Sequence, residues 1–332
     1  MARSSAQTAP LAYEPMFVFG KKAADEGNLQ RAIILMEEAR RRRPNFLPTR
    51  ILLMAYYSQA RRYSQALAEM EYALRSSEDV RRVVLPELAK TIRNPEGRRA
   101  VAEVLARGPA WREEFIGSVE SQSLRPEEAR ELLELVRARR PNADVSLERG
   151  LYLQALVRSG QARAARAVWL ESFPEAERGR HEHIFDGAFT GRPAAQPFAW
   201  VLHDGEVGRA EFIRADARTS HLEVNYFGGN STVLAEQMLA LMPGGYQLSF
   251  AARSDSGISS GDLSWVLSCA PDGPDLARIP VKAPQPAQRR YQADVRIPAS
   301  GCAGQRLRLV AEPGDVAAAF TVQIADMRLV GR

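Results

Sequence analysis

The chain has almost no lysine: Lys21, Lys22, Lys90 and Lys282 stand against 41 arginines. A GC-rich genome produces that bias as readily as a ligand does. Histidine is scarce, with four residues, and there are two cysteines. So few imidazoles leave little from which to build a metal centre. His181 and His183 flank Glu182, and His203 precedes Asp204, but the spacing fixes no third ligand, so no metal site is expected. No run of about 18 apolar residues exists, which excludes a helical membrane span. The first ten residues contain no apolar stretch of the kind an export signal needs. Gly-x-Ser-x-Gly, phosphate-loop, His-Glu-x-x-His and dinucleotide glycine patterns are all missing, and Cys269 has no evident histidine partner. No catalytic residue is therefore expected. A cryptic glycan hydrolase would need two carboxylates about 5–10 Å apart, and Glu223 with Glu236 is one pair the sequence offers.

Of the residues that are present, 45% are hydrophobic and 26% charged, a globular composition. A length of 332 residues suggests about two domains. Charge is uneven. Residues 1–180 hold 31 basic and 24 acidic side chains, and residues 181–332 hold 14 and 16. A basic half can meet an acidic partner, an anionic glycan or a membrane surface. Here the arginines alternate with glutamates along helical stretches, the pattern of a solvated face, so nucleic acid is not an expected partner.

Residues 13–180 read as helices. Over 32–43, 66–75 and 127–140, apolar residues recur at steps of three and four. Prolines at 44, 48, 86, 95, 109, 126, 141 and 174 punctuate the runs. Trp111 and Phe115, four apart after Pro109, are expected in the core. Between residues 175 and 190 the style changes to short alternating runs bounded by Gly, Pro, Asp and Ser. About nine strands are expected, among them 198–203, 222–227, 246–253, 263–269 and 320–330, which implies an antiparallel sandwich or jelly roll. The expected organisation is a flexible start at 1–12, a helical domain at 13–180 and a β-sandwich at 181–332. The fold class is thus multi-domain, α plus β.

Two alanine pairs repeat at a fixed interval. Ala32 and Ala39 are seven apart, Ala66 and Ala73 likewise, and the second pair follows the first by 34 residues, as Met70 follows Met36 and Tyr63 follows Leu29. With Phe19, Gly20, Gly27 and Pro44, this resembles the tetratricopeptide repeat. A further copy is expected at 152–169, around Gly160, Ala162 and Ala165. Small residues are needed where paired helices cross closely, and repeats of this kind stack into a solenoid. The resemblance implies a concave face that docks a partner protein or peptide, carried here by Phe17, Lys21, Asp25, Ile51, Ser58 and Gln59.

The second half resembles the jelly-roll carbohydrate-binding modules, the galactose-binding-like sandwiches. The resembling pieces are the opening run from Ile184 through Asp186 and Gly187 to Phe189, the turn and strand from Met242 to Arg253, and the closing strand from Val322 to Leu329. The family's structural calcium would fall near Asp186 and Asp326, but Ala188 and Thr190 stand where acids are common, so no cofactor is expected beyond that weak possibility. A sugar site of this type implies an aromatic platform and hydrogen-bonding side chains, for which Asn225, Phe227, Gln237, Gln247, Arg253 and Trp200 are the candidates. Period-two alternation puts Trp265 and Tyr226 in the core and Phe227 on the opposite face. Cys269 and Cys302 are either a disulfide or buried thiols. The combination also resembles repeat-plus-jelly-roll proteins associated with sphingomonad-type exopolysaccharide loci, which favours pairing of the two cysteines and a periplasmic or envelope location. The missing export signal points instead to the cytoplasm if the start is complete. The expected function is a non-catalytic scaffold that docks a protein and contacts a polysaccharide. Its alternatives are a protein–protein adaptor with a structural jelly roll and the hydrolase above.

Overall fold

A computed structural model describes residues 12–75, 78–179, 183–216, 219–254, 262–282, 287–314 and 319–332. His181 and nearly all of the expected flexible start lie outside them. The protein is α plus β, helices first and antiparallel sheets after. It divides into two compact units, 1–148 and 149–332.

The first unit contains α1 (Glu14–Asp25), α2 (Leu29–Arg42), α3 (Leu47–Gln59), α4 (Tyr63–Leu74), α5 (Glu78–Thr91), α6 (Pro95–Leu105), α7 (Arg112–Glu120) and α8 (Pro126–Arg139). Their limits follow from local chemistry. The Asn28 side chain accepts from the Arg31 amide at 3.1 Å, and Asn94 accepts from those of Glu96 and Gly97, so both cap otherwise orphaned donors. Pro15, Pro48, Pro95 and Pro126 sit in first turns, where a missing amide donor costs nothing. Gly27, at φ 77°, makes the turn between α1 and α2.

The recurring small residues lie in the core. Ala32, Ala39, Ala66 and Ala73 are buried. A Cβ on Gly20 would lie 3.0 Å from Met36 Cε, so α1 and α2 approach through a glycine. Trp111 and Phe115 are buried edge to face. Pro86 departs from expectation. It lies inside α5 rather than in a gap, and Val84, Leu85, Leu88 and Ala89 are buried around it, so packing holds the helix across the lost amide. Glu69, itself buried, receives both Arg40 and Arg50, and buried Arg98 reaches Glu131.

The second unit begins within α9 (Ser146–Arg158) and continues through α10 (Ala162–Leu170) and the short α11 (Glu175–Arg178). The strands are β1 (Val201–Leu202), β2 (Asp204–Gly205), β3 (Gly208–Arg214), β4 (Ser220–Tyr226), β5 (Thr232–Leu239), β6 (Gly244–Ser254), β7 (Asp262–Cys269), β8 (Asp275–Pro280), β9 (Arg289–Ile297), β10 (Gln305–Glu312) and β11 (Phe320–Gly331). They form a five-stranded sheet, β1-β5-β10-β7-β8, and a six-stranded sheet, β2-β3-β4-β11-β6-β9. Every pairing between the described strands is antiparallel. Alternate residues of both sheets enter one core, including Leu222, Val224, Tyr226 and Phe250 from one and Trp265, Leu267, Leu307 and Leu309 from the other. β8 was not foreseen, because its run has no alternation and ends at a proline.

A second core corrects the expected boundary at 180/181. Leu153, Leu156, Ala162, Ala165, Trp169 and Phe173 from the last helices pack with Phe185, Phe198, Ala199 and Met238. The Trp169 indole donates to the Ala195 carbonyl at 2.8 Å. The helix pair read as a third repeat copy therefore belongs to the β unit, because its small-residue and tryptophan face is covered by the segment that opens the sandwich. Cys269 and Cys302 are joined by a disulfide that ties the end of β7 to the loop before β10.

A candidate binding groove on the six-stranded sheet

The strand period decides which side chains leave the core. On β4, Leu222, Val224 and Tyr226 point inward, and His221, Glu223 and Asn225 alternate outward. On β11, Val322 and Ile324 are inward and Thr321 and Gln323 outward. The registers set these side chains side by side. Thr321 pairs with Asn225, and Gln323 pairs with Glu223 on one side and Arg253 of β6 on the other.

The outward row is hydrogen bonded across three strands. Arg253 Nε donates to Gln323 Oε1 at 2.6 Å, and Gln323 Nε2 donates to Glu223 Oε2 at 3.4 Å. Thr321 Oγ1 donates to Asn225 Oδ1 at 2.7 Å. A guanidinium only donates, so its bond fixes which way the Gln323 amide faces. Beside this row lies a groove of about 450 Å³ whose walls include Thr190, Thr219, Ser220, His221, Arg253, Gln288, Gln323 and Asp326. Burial holds the His221 imidazole below the usual histidine range, with Glu223 opposing and Arg253 adding to the shift. The wall is thus mainly neutral donors and acceptors around one arginine, which suits a polyhydroxylated ligand.

The opening segment shapes one end. The Asp186 carboxylate accepts from the Thr190 amide and hydroxyl and from the Gly191 and Arg192 amides, at 2.7–3.2 Å. A Cβ on Gly187 would lie 2.1 Å from the Met327 carbonyl oxygen, and the Met327 amide donates to the Gly187 carbonyl. Only glycine lets the segment lie this close to β11. The two acids named for a possible calcium both have protein partners. Asp186 is saturated by its own loop and Asp326 faces Arg290 at 3.6 Å. Among the described residues no cluster of three metal-binding side chains occurs.

Of the expected sugar contacts, Arg253 lines the groove, and Asn225 is on the same face, bonded to Thr321. Gln247 is six residues earlier on β6, and Phe227 lies six residues beyond His221, just past the end of β4, half exposed. At about 3.3 Å per residue, Gln247 is about 20 Å along the sheet from Arg253, and Phe227 about 13 Å beyond the Gln323–Glu223 register. Two candidates are corrected. Gln237 is fully buried and bonded through its amide to the Phe185 backbone amide and carbonyl. Trp200 is buried between Phe189 and Trp265. Glu223 and Glu236 belong to different sheets, whose packing distance of about 10 Å and outward side chains prevent them from flanking one bond. The groove residues missed from sequence were His221, Gln323, Thr190, Thr219, Ser220 and Gln288. The first two share the outward phase of Glu223 and Thr321, so alternation alone could have found them; Thr190 lies on a loop and has no such signal.

In the helical unit, Lys21, Asp25 and Gln59 are exposed, Ile51 and Ser58 are half-buried, and the half-buried Phe17 ring packs edge-on against Phe46. Burial, together with the Asp25 charge, pushes the Tyr56 hydroxyl up, so the end of α1 lies beside α3.

No protein-family model matches the chain, and no curated protein does. Solved structures similar to it include a CBM4 structure at 16% identity, covering 45% of this chain and 99% of that one, with a TM-score of 0.35. Another is TmCBM61 in complex with beta-1,4-galactotriose, at 16% identity, 40% and 88% coverage and a TM-score of 0.29. A third is the C-terminal family 22 carbohydrate binding module of Clostridium thermocellum Xyn10B, at 15% identity, 46% and 93% coverage and a TM-score of 0.31.

Proposed function

We propose that the protein is a non-catalytic scaffold whose β unit binds a glycan in the groove beside β4, β11 and β6, and whose helical unit docks a partner protein. The groove carries this reading. Its walls present hydroxyls, amides, an imidazole and a guanidinium, held in place by the Arg253–Gln323–Glu223 relay. The helix pairs with small residues at their crossings, and the exposed Lys21, Asp25 and Gln59, support the docking role. The disulfide supports an oxidising compartment such as the periplasm or envelope, with exopolysaccharide synthesis or export as the process served.

Retardation in polysaccharide-containing native gels tests the glycan role. Wild type is slowed by at least one polymer, and Gln323→Ala reduces the effect. A chain that ignores every polymer overturns it. The adaptor reading has its own supporting observation. Trp200, Tyr226 and Trp265 are all core residues, and the groove wall has no aromatic platform. Capture of a specific partner by the full chain, unaffected by Gln323→Ala and with no glycan binding, favours that alternative.

A further inference from the structure

The arginines of the sandwich mostly have acidic neighbours. Arg290 faces Asp326, Arg306 faces Glu236, and Arg332 faces Asp294. Arg253 differs. Among the described residues it forms no ion pair, and its hydrogen bond is the one from Nε to Gln323 Oε1. Two described acids of this face are engaged elsewhere: Glu223 accepts from the Gln323 amide and Asp326 faces Arg290. Apart from Asp326, the groove wall offers mainly neutral groups, including Thr190, Thr219, Ser220 and Gln288.

The direction of the Arg253 bond matters. Gln323 takes the Nε side of the guanidinium and holds the plane from one edge. The terminal edge, with its two Nη groups, has no bond to the described residues and belongs to a residue that lines the groove. Two parallel N–H groups at that spacing match the two oxygens of a carboxylate, and a neutral hydroxyl uses only one of them. An arginine with no ion pair among the described residues, on a groove of hydroxyls and amides, is a site for a sugar that carries an acid.

We infer that the groove selects a carboxylate-bearing glycan, a uronic-acid polymer, with the carboxylate on the Nη edge of Arg253 and ring hydroxyls on Thr190, Ser220 and Gln288. This rests on the glycan-binding reading and adds the class of sugar. The selection is local, because residues 181–332 as a whole hold 14 basic and 16 acidic side chains.

The test uses the full chain with its disulfide intact, in native gels containing polygalacturonate or alginate, the same polymers after reduction of their carboxyl groups to alcohols, and neutral galactan and β-glucan. Wild type is retarded by a polyuronate, and carboxyl reduction weakens the apparent affinity about ten-fold or more. Arg253→Gln loses as much, and Arg253→Lys, which keeps the charge without the fork, recovers part. Arg328→Gln removes an exposed arginine of β11 with the same change in net charge and binds as wild type does. Free digalacturonate competes with wild type and its methyl ester does not, a comparison that needs no variant. Equal binding to native and reduced polymers, or equal losses in the Arg253 and Arg328 variants, overturns the acidic-sugar inference and leaves glycan binding standing. Retardation by none of the polymers overturns both.

Discussion

Trp169, near the end of α10, and Phe185, in the segment that opens the sandwich, meet edge to face with ring centroids 5.2 Å apart. Both are buried, and Phe173, Phe198 and Met238 close the cluster. The last helix pair is therefore part of the β unit's core. A fragment of residues 149–332 is expected to melt cooperatively. One starting at 181 exposes Phe185, Phe198 and Met238 and is expected to aggregate or melt earlier. Trp169→Ala in the full chain costs about 3–5 kcal/mol. Denaturation followed by tryptophan fluorescence and circular dichroism checks this, and equal stability of the two fragments would restore a boundary near 180.

Gln237 and Gln323 are both strand glutamines with opposite roles. Gln237→Ala removes two hydrogen bonds from the buried Phe185 backbone and is expected to cost about 2–4 kcal/mol, since each stranded backbone group costs about 1–3. Gln323→Ala releases Arg253 at the surface, with an expected stability loss below about 1 kcal/mol and a clear loss of glycan retardation. Urea melts beside gel retardation separate the two, and a reversed pattern would put the site on the wrong sheet.

Ala32 is fully buried one turn before Met36, where α1 and α2 cross so closely that a Cβ on Gly20 would press on the methionine. Ala32→Leu forces extra atoms into that crossing and is expected to destabilise the helical unit by about 1–3 kcal/mol. Ile34→Leu, on the exposed side of α2, is neutral. Thermal melts of the full chain read both, and a tolerated leucine at 32 would end the case for close helix packing.

His221 is held below the usual histidine range mainly by burial. Its folded form favours the neutral imidazole, so its contribution to stability is complete above the unfolded value of about 6.5 and declines as pH falls through that value toward the lower folded one. His221→Gln is expected to flatten that part of the stability profile between about pH 7 and pH 5. Imidazole proton NMR gives the titration directly, and a His221 midpoint above the unfolded value would refute the sign.

The Cys269–Cys302 bond closes a loop with a sequence separation of 33. Chain entropy for a loop of this size gives about 3–4 kcal/mol of stabilisation. The double Cys→Ser variant is expected to lose a comparable amount in urea melts. Thiol titration of denatured, unreduced protein from its native source is expected to find no free sulfhydryl, and two would remove the support for an oxidising compartment.

The sequence by itself determined the order and kind of the elements. Alternation of large apolar residues sorted Trp265 and Tyr226 into the core, and alanines seven apart marked helix crossings, because both periods are imposed locally by backbone geometry. The tertiary structure alone decided three things. It assigned the 152–169 helices to the β unit, since the face that buries Trp169 is completed by residues as far as Met238, 69 positions away. It withdrew Trp200 and Gln237 from the surface, since Trp200 stands outside a regular strand and the partner that buries Gln237 is the Phe185 backbone, 52 residues away in the chain. And it gathered Thr190, His221, Arg253 and Gln323 into one groove, because register between strands distant in the chain depends on how the whole core fills.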